Sequence, residues 1–529
     1  MKKIQRLIAV VLCLICSTAF VSCGKKDKDE TSGDDSSSSD SKIAFTDYDL
    51  VSDGGSDYII VVPQAPSAGE EMAWQDLKSY FRTATGVNLS VAVDSEVEWS
   101  ESAEYLSVGK TELLDDAGIT FRQSEVGVNG FLLQTKGRSV FMAGGKEYGS
   151  LYAVYRFMHD IFGFEVYAVD EIYCETGVTD VKVPDYAEKV IPDIQQLQSQ
   201  YGRVIQDATN GLRLGYQNWK ELWMQGYVES LDRIVEFVHN SLQYVPLDLY
   251  YDDHPDWFSA DKSQLCFSNE EMYEEAFLPA LKEVILAHPD VKNVSITQMD
   301  VRKWCTCEQC SADKERYGTD AGNMVKFGNK AARDISKWLS ETDPDREVNL
   351  VIFAYHNCEL PPAWKNASGE WEPIDKELVF EKNLVLWWVP SLANYKEPLY
   401  EGGNLSYGDS MRAWATMAHT IYVWNYEFRP FEYLVPYNTH NVLQKNMQFF
   451  RDYNVQLLFN QAEFNQNVST DWGDLSIYLT SKLRWNVDAD YQALIEDYFK
   501  HYYKDASKQM YKMFSHLRAF SQYQEDYLG

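Results

Sequence analysis

From residue 193 onward the chain repeats one pattern to about residue 489: a short apolar run, then a longer amphipathic stretch, then another apolar run. A short run that is apolar throughout is a strand buried on both faces, and an amphipathic stretch between two such runs is a helix that covers the sheet. Strands joined by covering helices run parallel, and eight of them close into a barrel. The runs fall at 196–200, around Leu214, and at 242–246, 294–297, 350–354, 384–388, 421–424 and 456–459, with helices such as 271–287 and 324–339 between them. The expectation is a TIM-type (β/α)8 barrel over residues 193–489, followed by a C-terminal helical segment over 490–529.

Residues 43–192 alternate differently, with strands expected at 58–62, 91–93, 105–108, 130–134 and 140–143. Between them, residues 70–85 place Met72, Leu77, Tyr80 and Phe81 on one helical face, and 148–161 do the same with Leu151, Val154, Tyr155 and Met158. This predicts an N-terminal α/β sandwich domain, ending where Pro184 and Pro192 interrupt the pattern. The fold class is α/β throughout.

Ahead of these domains stand Met1-Lys2-Lys3 and an apolar run over 7–21, long enough for a secretory h-region and too short for a stable membrane span. Cys23 follows Phe20-Val21-Ser22 as in a lipoprotein cleavage box. Residues 1–22 are read as a signal peptide and Cys23 as the lipid anchor; an ordinary signal with a chance cysteine is the other reading. The Ser/Asp-rich stretch over 23–42 is too polar to bury a core and is expected to be a disordered tether, which makes the protein a cell-envelope lipoprotein.

A net charge of −32 argues against binding nucleic acid or an anionic lipid surface by long-range attraction. Neutral sugars meet no such objection, and 15 Trp with 35 Tyr supply faces for their C–H surfaces as well as bulk for cores. Nucleotide-binding loops are absent from the sequence, and no cofactor is expected. Six cysteines lie beyond the signal: Cys174, Cys266, Cys305, Cys307, Cys310 and Cys358. In an exported chain they form disulfides or remain thiols. Cys305-Thr306-Cys307-Glu308-Gln309-Cys310 also has soft-metal spacing, with a fourth ligand from Cys266, Cys358 or a histidine. Each reading is structural, and no catalytic metal is expected.

In a barrel the working residues follow the strand ends. That rule selects Asp300, Tyr355, His356, Trp388, Asn394, Tyr395, the run Trp424-Asn425-Tyr426-Glu427, and Asn460-Gln461-Ala462-Glu463. Three carboxylates on one rim, Asp300, Glu427 and Glu463, suffice for glycoside hydrolysis. One protonates the leaving oxygen; another attacks the anomeric carbon, activates water or supports an acetamido group. Glu463, beside Phe464 and the amides Asn460, Gln461, Asn465 and Gln466, is the acid candidate. Each carboxylate also has a structural reading: Glu463 as a loop residue, Asp300 as a turn cap, and Glu427 as part of a solvated ion-paired loop with Arg429 and Glu432. His239, Tyr355, Trp388, Trp424, Asn425, Tyr426 and Gln461 are the candidate sugar contacts, with His254 a further histidine in reach.

Four ordered blocks, His254-Pro255-Asp256-Trp257-Phe258, Gln264-Leu265-Cys266-Phe267-Ser268-Asn269, Ser295-Ile296-Thr297-Gln298-Met299-Asp300 and Cys305-Thr306-Cys307-Glu308-Gln309-Cys310, resemble the domain of unknown function 4838. Ala354-Tyr355 before Pro361-Pro362 and Trp424-Asn425-Tyr426 add to the likeness, which covers roughly 194–503. Ala73-Trp74-Gln75-Asp76-Leu77 and the segment from Gly144 to Tyr155 resemble the N-terminal domain of α-glucuronidases and hexosaminidases. Members of the 4838 group look like glycoside hydrolase family 163, so the resemblance implies a retaining β-hexosaminide hydrolase, endo-acting on N-glycans in Bacteroides-type bacteria. It also implies an outer-membrane lipoprotein displayed at the surface. Enzymes that use the substrate acetamido group carry two adjacent carboxylates after the fourth strand, whereas here Met299 precedes Asp300. Either the second carboxylate comes from strand seven or eight, or the chain handles another glycan or has lost activity. A non-catalytic glycan-binding lipoprotein on the same barrel is the competing expectation, and a metal-dependent hydrolase built on the cysteine cluster a third.

Overall fold

The computed structural model describes residues 43–146, 148–218, 233–426, 428, 435–463 and 471–521. The expected signal peptide, Cys23 and the tether lie outside the described residues.

The N-terminal part is a mixed six-stranded sheet. Its strands are β1 (Ile59–Val62), β2 (Ser90–Val93), β3 (Tyr105–Val108), β4 (Phe131–Lys136), β5 (Ser139–Gly144) and β6 (Ala187–Val190). They are ordered β6-β4-β5-β3-β1-β2. Helices α1 (Ala68–Thr85) and α2 (Gly149–Phe162) pack against it through Leu77, Phe81, Leu151 and Met158. α1 starts where Ser67 accepts from the Glu70 amide and the Glu70 carboxylate accepts from the Ser67 amide, a reciprocal cap. At Gly144 a Cβ would meet the Ser150 nitrogen at 1.8 Å, so only glycine lets β5 run this close to the start of α2.

The second part is a parallel seven-stranded sheet. In chain order its strands are β7 (Gln196–Ser199), β8 (Ile234–Val235), β9 (Asn293–Ser295), β10 (Asn349–Ala354), β11 (Leu384–Trp388), β12 (Ile421–Tyr426) and β13 (Val455–Gln461). Their spatial order is β7-β13-β12-β11-β10-β9-β8. On the free side of β7, Tyr216 makes a single parallel bridge to Leu197, and the Gln217 amide donates to Leu197. That gives eight barrel positions in chain order, the second reduced to one bridge. Helices α3 (Leu278–Ala287), α4 (Glu308–Tyr317), α5 (Ala321–Thr342), α6 (Leu405–Trp414), α7 (Leu443–Asp452) and α8 (Gly473–Trp485) lie between or after the strands. The tail is α9 (Tyr491–Tyr503) and α10 (Ser507–Ser521).

Two expected strands differ. Leu214 ends a short helix, Ala208–Arg213, and the bridge falls at Tyr216 instead. Residues 242–246 are not the third strand. Ser241–Tyr244 is a helical turn, and β8 lies upstream. Pro246 has no amide for a ladder, while the Ser241 amide donates to Thr297 and the Tyr244 hydroxyl to Ser295, so the turn sits across the end of β9.

Side-chain alternation sorts the barrel into two cores. Val351, Phe353, Val385, Trp387, Tyr422, Leu457 and Phe459 fill the interior, with Tyr355, Trp424 and Tyr426 above them. Phe237, Phe353, Trp387, Trp424 and Phe459 meet at ring separations of 4.4–6.2 Å, forming an aromatic floor beneath the strand ends. Alternate residues such as Leu197, Ile352, Leu386 and Val423 pack outward under the helices.

The two parts share an interface. Asp76 on α1 accepts from Nε and Nη2 of Arg213, at 2.9 and 2.8 Å, and from the Tyr155 hydroxyl at 2.6 Å. Asn129 bonds Gln217 and the Gln195 carbonyl. Fully buried Arg484, near the end of α8, sits over the Tyr152 and Trp485 rings and donates to the Gly215 carbonyl.

Candidate active site on the barrel rim

Asp300 follows β9 by five residues, on a loop whose backbone is held from below. Gln264 Oε1 accepts from the Met299 amide at 3.3 Å and from the Ser241 hydroxyl at 3.0 Å, tying this loop to the segment after β8. The Gln298 side chain donates to the Tyr355 carbonyl. The Asp300 carboxylate thus projects from a fixed turn with its side chain 58% exposed.

Two aromatic residues from the end of β10 meet that carboxylate. His356 Nε2 lies 3.0 Å from Asp300 Oδ1, and the His356 ring stacks on Tyr355 at 3.8 Å. Burial pulls the His356 pKa down, more than the Asp300 charge raises it, so the ring is neutral at pH 7 and donates its Nε2 proton to Asp300. Burial and the same carboxylate push the Tyr355 hydroxyl up to about 12 and keep it a donor. Tyr426, at the end of β12, is raised by burial first, then by Tyr355 and Asp300. His239 completes the group: its ring lies 5.9 Å from Tyr355, and its Nδ1 faces the Gln298 carbonyl at 2.9 Å, which leaves Nε2 unprotonated in the neutral ring. His239 and His356 both hold positive φ, 53° and 51°, a costly backbone state for residues with a Cβ.

Further round the rim, Trp424 Nε1 donates to Gln461 Oε1 at 2.8 Å. Leu197 packs outward, so Gln196 and Gln198 take the inner side of β7, and Gln200 follows its last residue. Both amide atoms of Gln198 and Oε1 of Gln200 are buried without a hydrogen-bond partner among the described residues. A buried amide in that state costs free energy until something bonds it.

Glu463 stands two residues beyond β13 and is 1% exposed. Its Oε1 accepts from the Gly202 amide at 2.8 Å, while Oε2 has no partner among the described residues. Burial pushes its pKa up to about 7, against the pull of the Gly202 amide. This carboxyl carries a proton near neutral pH and can give it up, the state a general acid needs.

The expected residues therefore divide. Asp300, His239, Tyr355, His356 and Tyr426 come together, Trp424 and Gln461 pair beside them, and Glu463 sits apart near β7. Trp388 does not face the rim: it is fully buried and points outward, its indole donating to Ser410, while its neighbour Trp387 lines the interior. Asn425 likewise points outward and bonds Asn460 at 3.1 Å. His254 stacks on Trp257 at 3.9 Å. Glu427, with Arg429, Glu432, Phe464, Asn465 and Gln466, lies outside the described residues. Sequence reasoning missed Glu359 and Gln198. Burial raises the Glu359 pKa while the nearby Arg302 lowers it. Its position five residues past β10 was the available signal, and for Gln198 it was a glutamine inside an expected barrel strand. Cys266, Cys305, Cys307 and Cys310 converge with all four sulfurs within 4.8 Å of one another, away from Cys358.

The arrangement defines a class: a parallel α/β barrel whose carboxylate- and aromatic-lined rim is preceded by a helix-covered mixed sheet. The chain belongs to the family described as Domain of unknown function (DUF4838), whose model matches residues 171–515. No curated protein matches it in sequence. Among solved structures it is similar to a family GH115 4-O-methyl-α-glucuronidase, BtGH115A, with specificity for decorated arabinogalactans. That likeness has 12% identity and a TM-score of 0.48 over 90% of this chain, which spans 63% of that chain's length. It is also similar to CpGH84D (12% identity, TM-score 0.47, 89% of this chain and 72% of that one). A third is a GH138 enzyme targeting pectin rhamnogalacturonan II (11% identity, TM-score 0.39, 84% of this chain and 52% of that one).

Proposed function

We propose that this protein is a glycoside hydrolase acting on β-linked N-acetylglucosamine in glycans, endo-acting on N-glycans with retention, and held at the outer membrane by a lipid on Cys23. The observation that carries the reading is that two carboxyls following barrel strands, Glu463 and Asp300, stand in unlike surroundings. Buried Glu463, with its pKa raised to about 7 and one oxygen unpartnered, is suited to donate a proton. Exposed Asp300, hydrogen-bonded by His356, is placed to orient a neighbouring group. In this mechanism Glu463 protonates the leaving oxygen. The substrate acetamido oxygen, oriented by Asp300, attacks the anomeric carbon as the glycosidic bond breaks. The deprotonated Glu463 then takes a proton from the water that opens the ring formed. Tyr355, Tyr426 and Trp424 supply ring faces for the sugar, and the Gln198 and Gln200 amides supply hydrogen-bonding partners. Glu427 is proposed as a third rim carboxylate.

A second reading, a non-catalytic glycan-binding lipoprotein, draws on two observations. β9 and β13, which precede Asp300 and Glu463, have three strands between them, and Glu463 is 1% exposed. Incubation with a panel of N-glycoproteins, with released glycans read by mass spectrometry, separates the two. Release that leaves one N-acetylglucosamine on the protein, with turnover lost in Glu463→Gln and Asp300→Asn, supports the enzyme. Binding without release moves the assignment to the second reading, and unchanged turnover in both variants removes these residues from the mechanism.

A further inference from the structure

Four cysteines outside the proposed catalytic group form a cluster of their own. Cys266 lies on the segment after β8. Cys305 and Cys307 lie on the loop after β9, and Cys310 in the first turn of α4. Their sulfurs all fall within 4.8 Å of one another, with Cys266 Sγ 3.7 Å from that of Cys307 and 3.8 Å from that of Cys310. A disulfide needs sulfurs at about 2.05 Å, and all four cysteines are free thiols. A tetrahedral zinc ion with bonds of about 2.3 Å sets its four sulfurs about 3.8 Å apart. The two Cys266 separations, 3.7 and 3.8 Å, match that spacing, and all four sulfurs fall within 4.8 Å of one another.

We propose that Cys266, Cys305, Cys307 and Cys310 bind one structural zinc ion. The surroundings suit thiolates. The Cys310 amide points at Cys307 Sγ at 3.4 Å, and Cys307 caps the positive end of α4. The Ser268 hydroxyl lies 3.0 Å from Cys310 Sγ, placed to donate to it. Binding releases four thiol protons to solvent and leaves a site of net charge −2 in which every position is filled by sulfur. Such a site has no place for substrate or water, so its role is to fix structure. What it fixes is the rim: it joins the segment after β8 to the loop after β9, only five residues beyond Asp300. Cys358 is fully buried elsewhere and takes no part.

Elemental analysis of the full chain purified from zinc-supplemented cells should find one zinc per molecule, and X-ray absorption should show four sulfur neighbours. Cys307→Ser and Cys310→Ser should lose the metal, and Cys358→Ser should keep it. If the first two variants do not fold, cobalt exchanged into the wild-type chain provides the second readout, with the visible bands of tetrahedral thiolate coordination. Wild-type protein whose thiols are reduced and metal-free overturns the proposal. So does an intact mass lighter by the hydrogens of two disulfides, or a cobalt spectrum of octahedral type.

Discussion

Replacing Glu463 with glutamine tests the central physical claim about the rim without needing a substrate. In the folded chain burial holds this carboxyl at about 7, against an ordinary value of 4.5. Below about pH 4.5 folded and unfolded chains both keep the proton, and the group's contribution to stability is fully present. As the pH rises through that value the unfolded chain loses its proton first, and stability falls by about 1.4 kcal/mol per pH unit until the folded carboxyl ionises near pH 7. The total is about 3 kcal/mol, with no large allowance for solvent, since the residue is 1% exposed. Glutamine keeps the shape and the bond from the Gly202 amide but cannot ionise. For a folded region of this size the unfolding entropy is about 1 kcal/mol per kelvin, so 3 kcal/mol is about 3 °C. The melting temperature of Glu463→Gln relative to wild type should therefore rise by about 3 °C between pH 4.5 and pH 8, read by calorimetry in matched buffers. Parallel melting curves for the two proteins across that range would refute the reasoning, because the carboxyl would then titrate in the folded chain as it does in the unfolded one.

Other perturbations give distinct outcomes. Asp76→Ala strands the Arg213 guanidinium and the Tyr155 hydroxyl at the interface between sheet and barrel; the expected loss is about 3 kcal/mol, a drop of some 3 °C in melting temperature, partly recovered by adding Arg213→Met. Trp424→Ala should weaken glycan binding in calorimetric titration while Trp388→Phe leaves it unchanged, since only Trp424 stands over the barrel interior; equal losses in both would contradict the assigned directions. Gly144→Ala forces a methyl group to within 1.8 Å of the Ser150 nitrogen, and a cost of about 3 kcal/mol or more should appear as lost soluble expression.

Which parts of this molecule can be read from its sequence follows from how each part is buried. β10 to β13 are covered on both faces, so each shows as a continuous apolar run. β8 is two residues long between charged Arg233 and Glu236, and its signal is weaker than that of Leu242, Tyr244 and Val245, which pack across a strand end instead. The same double burial hides direction. Trp387 and Trp388 are chemically identical neighbours in an all-apolar strand, and only the register of the folded sheet decides which one faces inward. The order of the strand ends was enough to collect Asp300, Tyr355, His356 and Tyr426 in one place. It was not enough to show that Asn425 turns outward, or that Cys266, distant in sequence, completes the cysteine cluster.

The weak second barrel position has a consequence for how the chain is made. Tyr216 contributes one bridge there, while Arg213 and Gln217 on either side of it are held by Asp76 on α1 and by Asn129, just ahead of β4. At the opposite end of the barrel sequence, Arg484 and Trp485 close onto Tyr152 of α2 and Phe131 of β4, and Tyr167 bonds Asp497 of α9. The N-terminal part leaves the ribosome ahead of the barrel, with one surface unfilled until the segment from Gly473 to Tyr503 has been synthesised. A nascent chain stopped before residue 473 lacks Arg484, which donates to the Gly215 carbonyl, and Ile477, whose carbonyl accepts from the Tyr216 hydroxyl, and should therefore remain sensitive to protease around Gly215 and Tyr216 after most of the barrel strands have emerged.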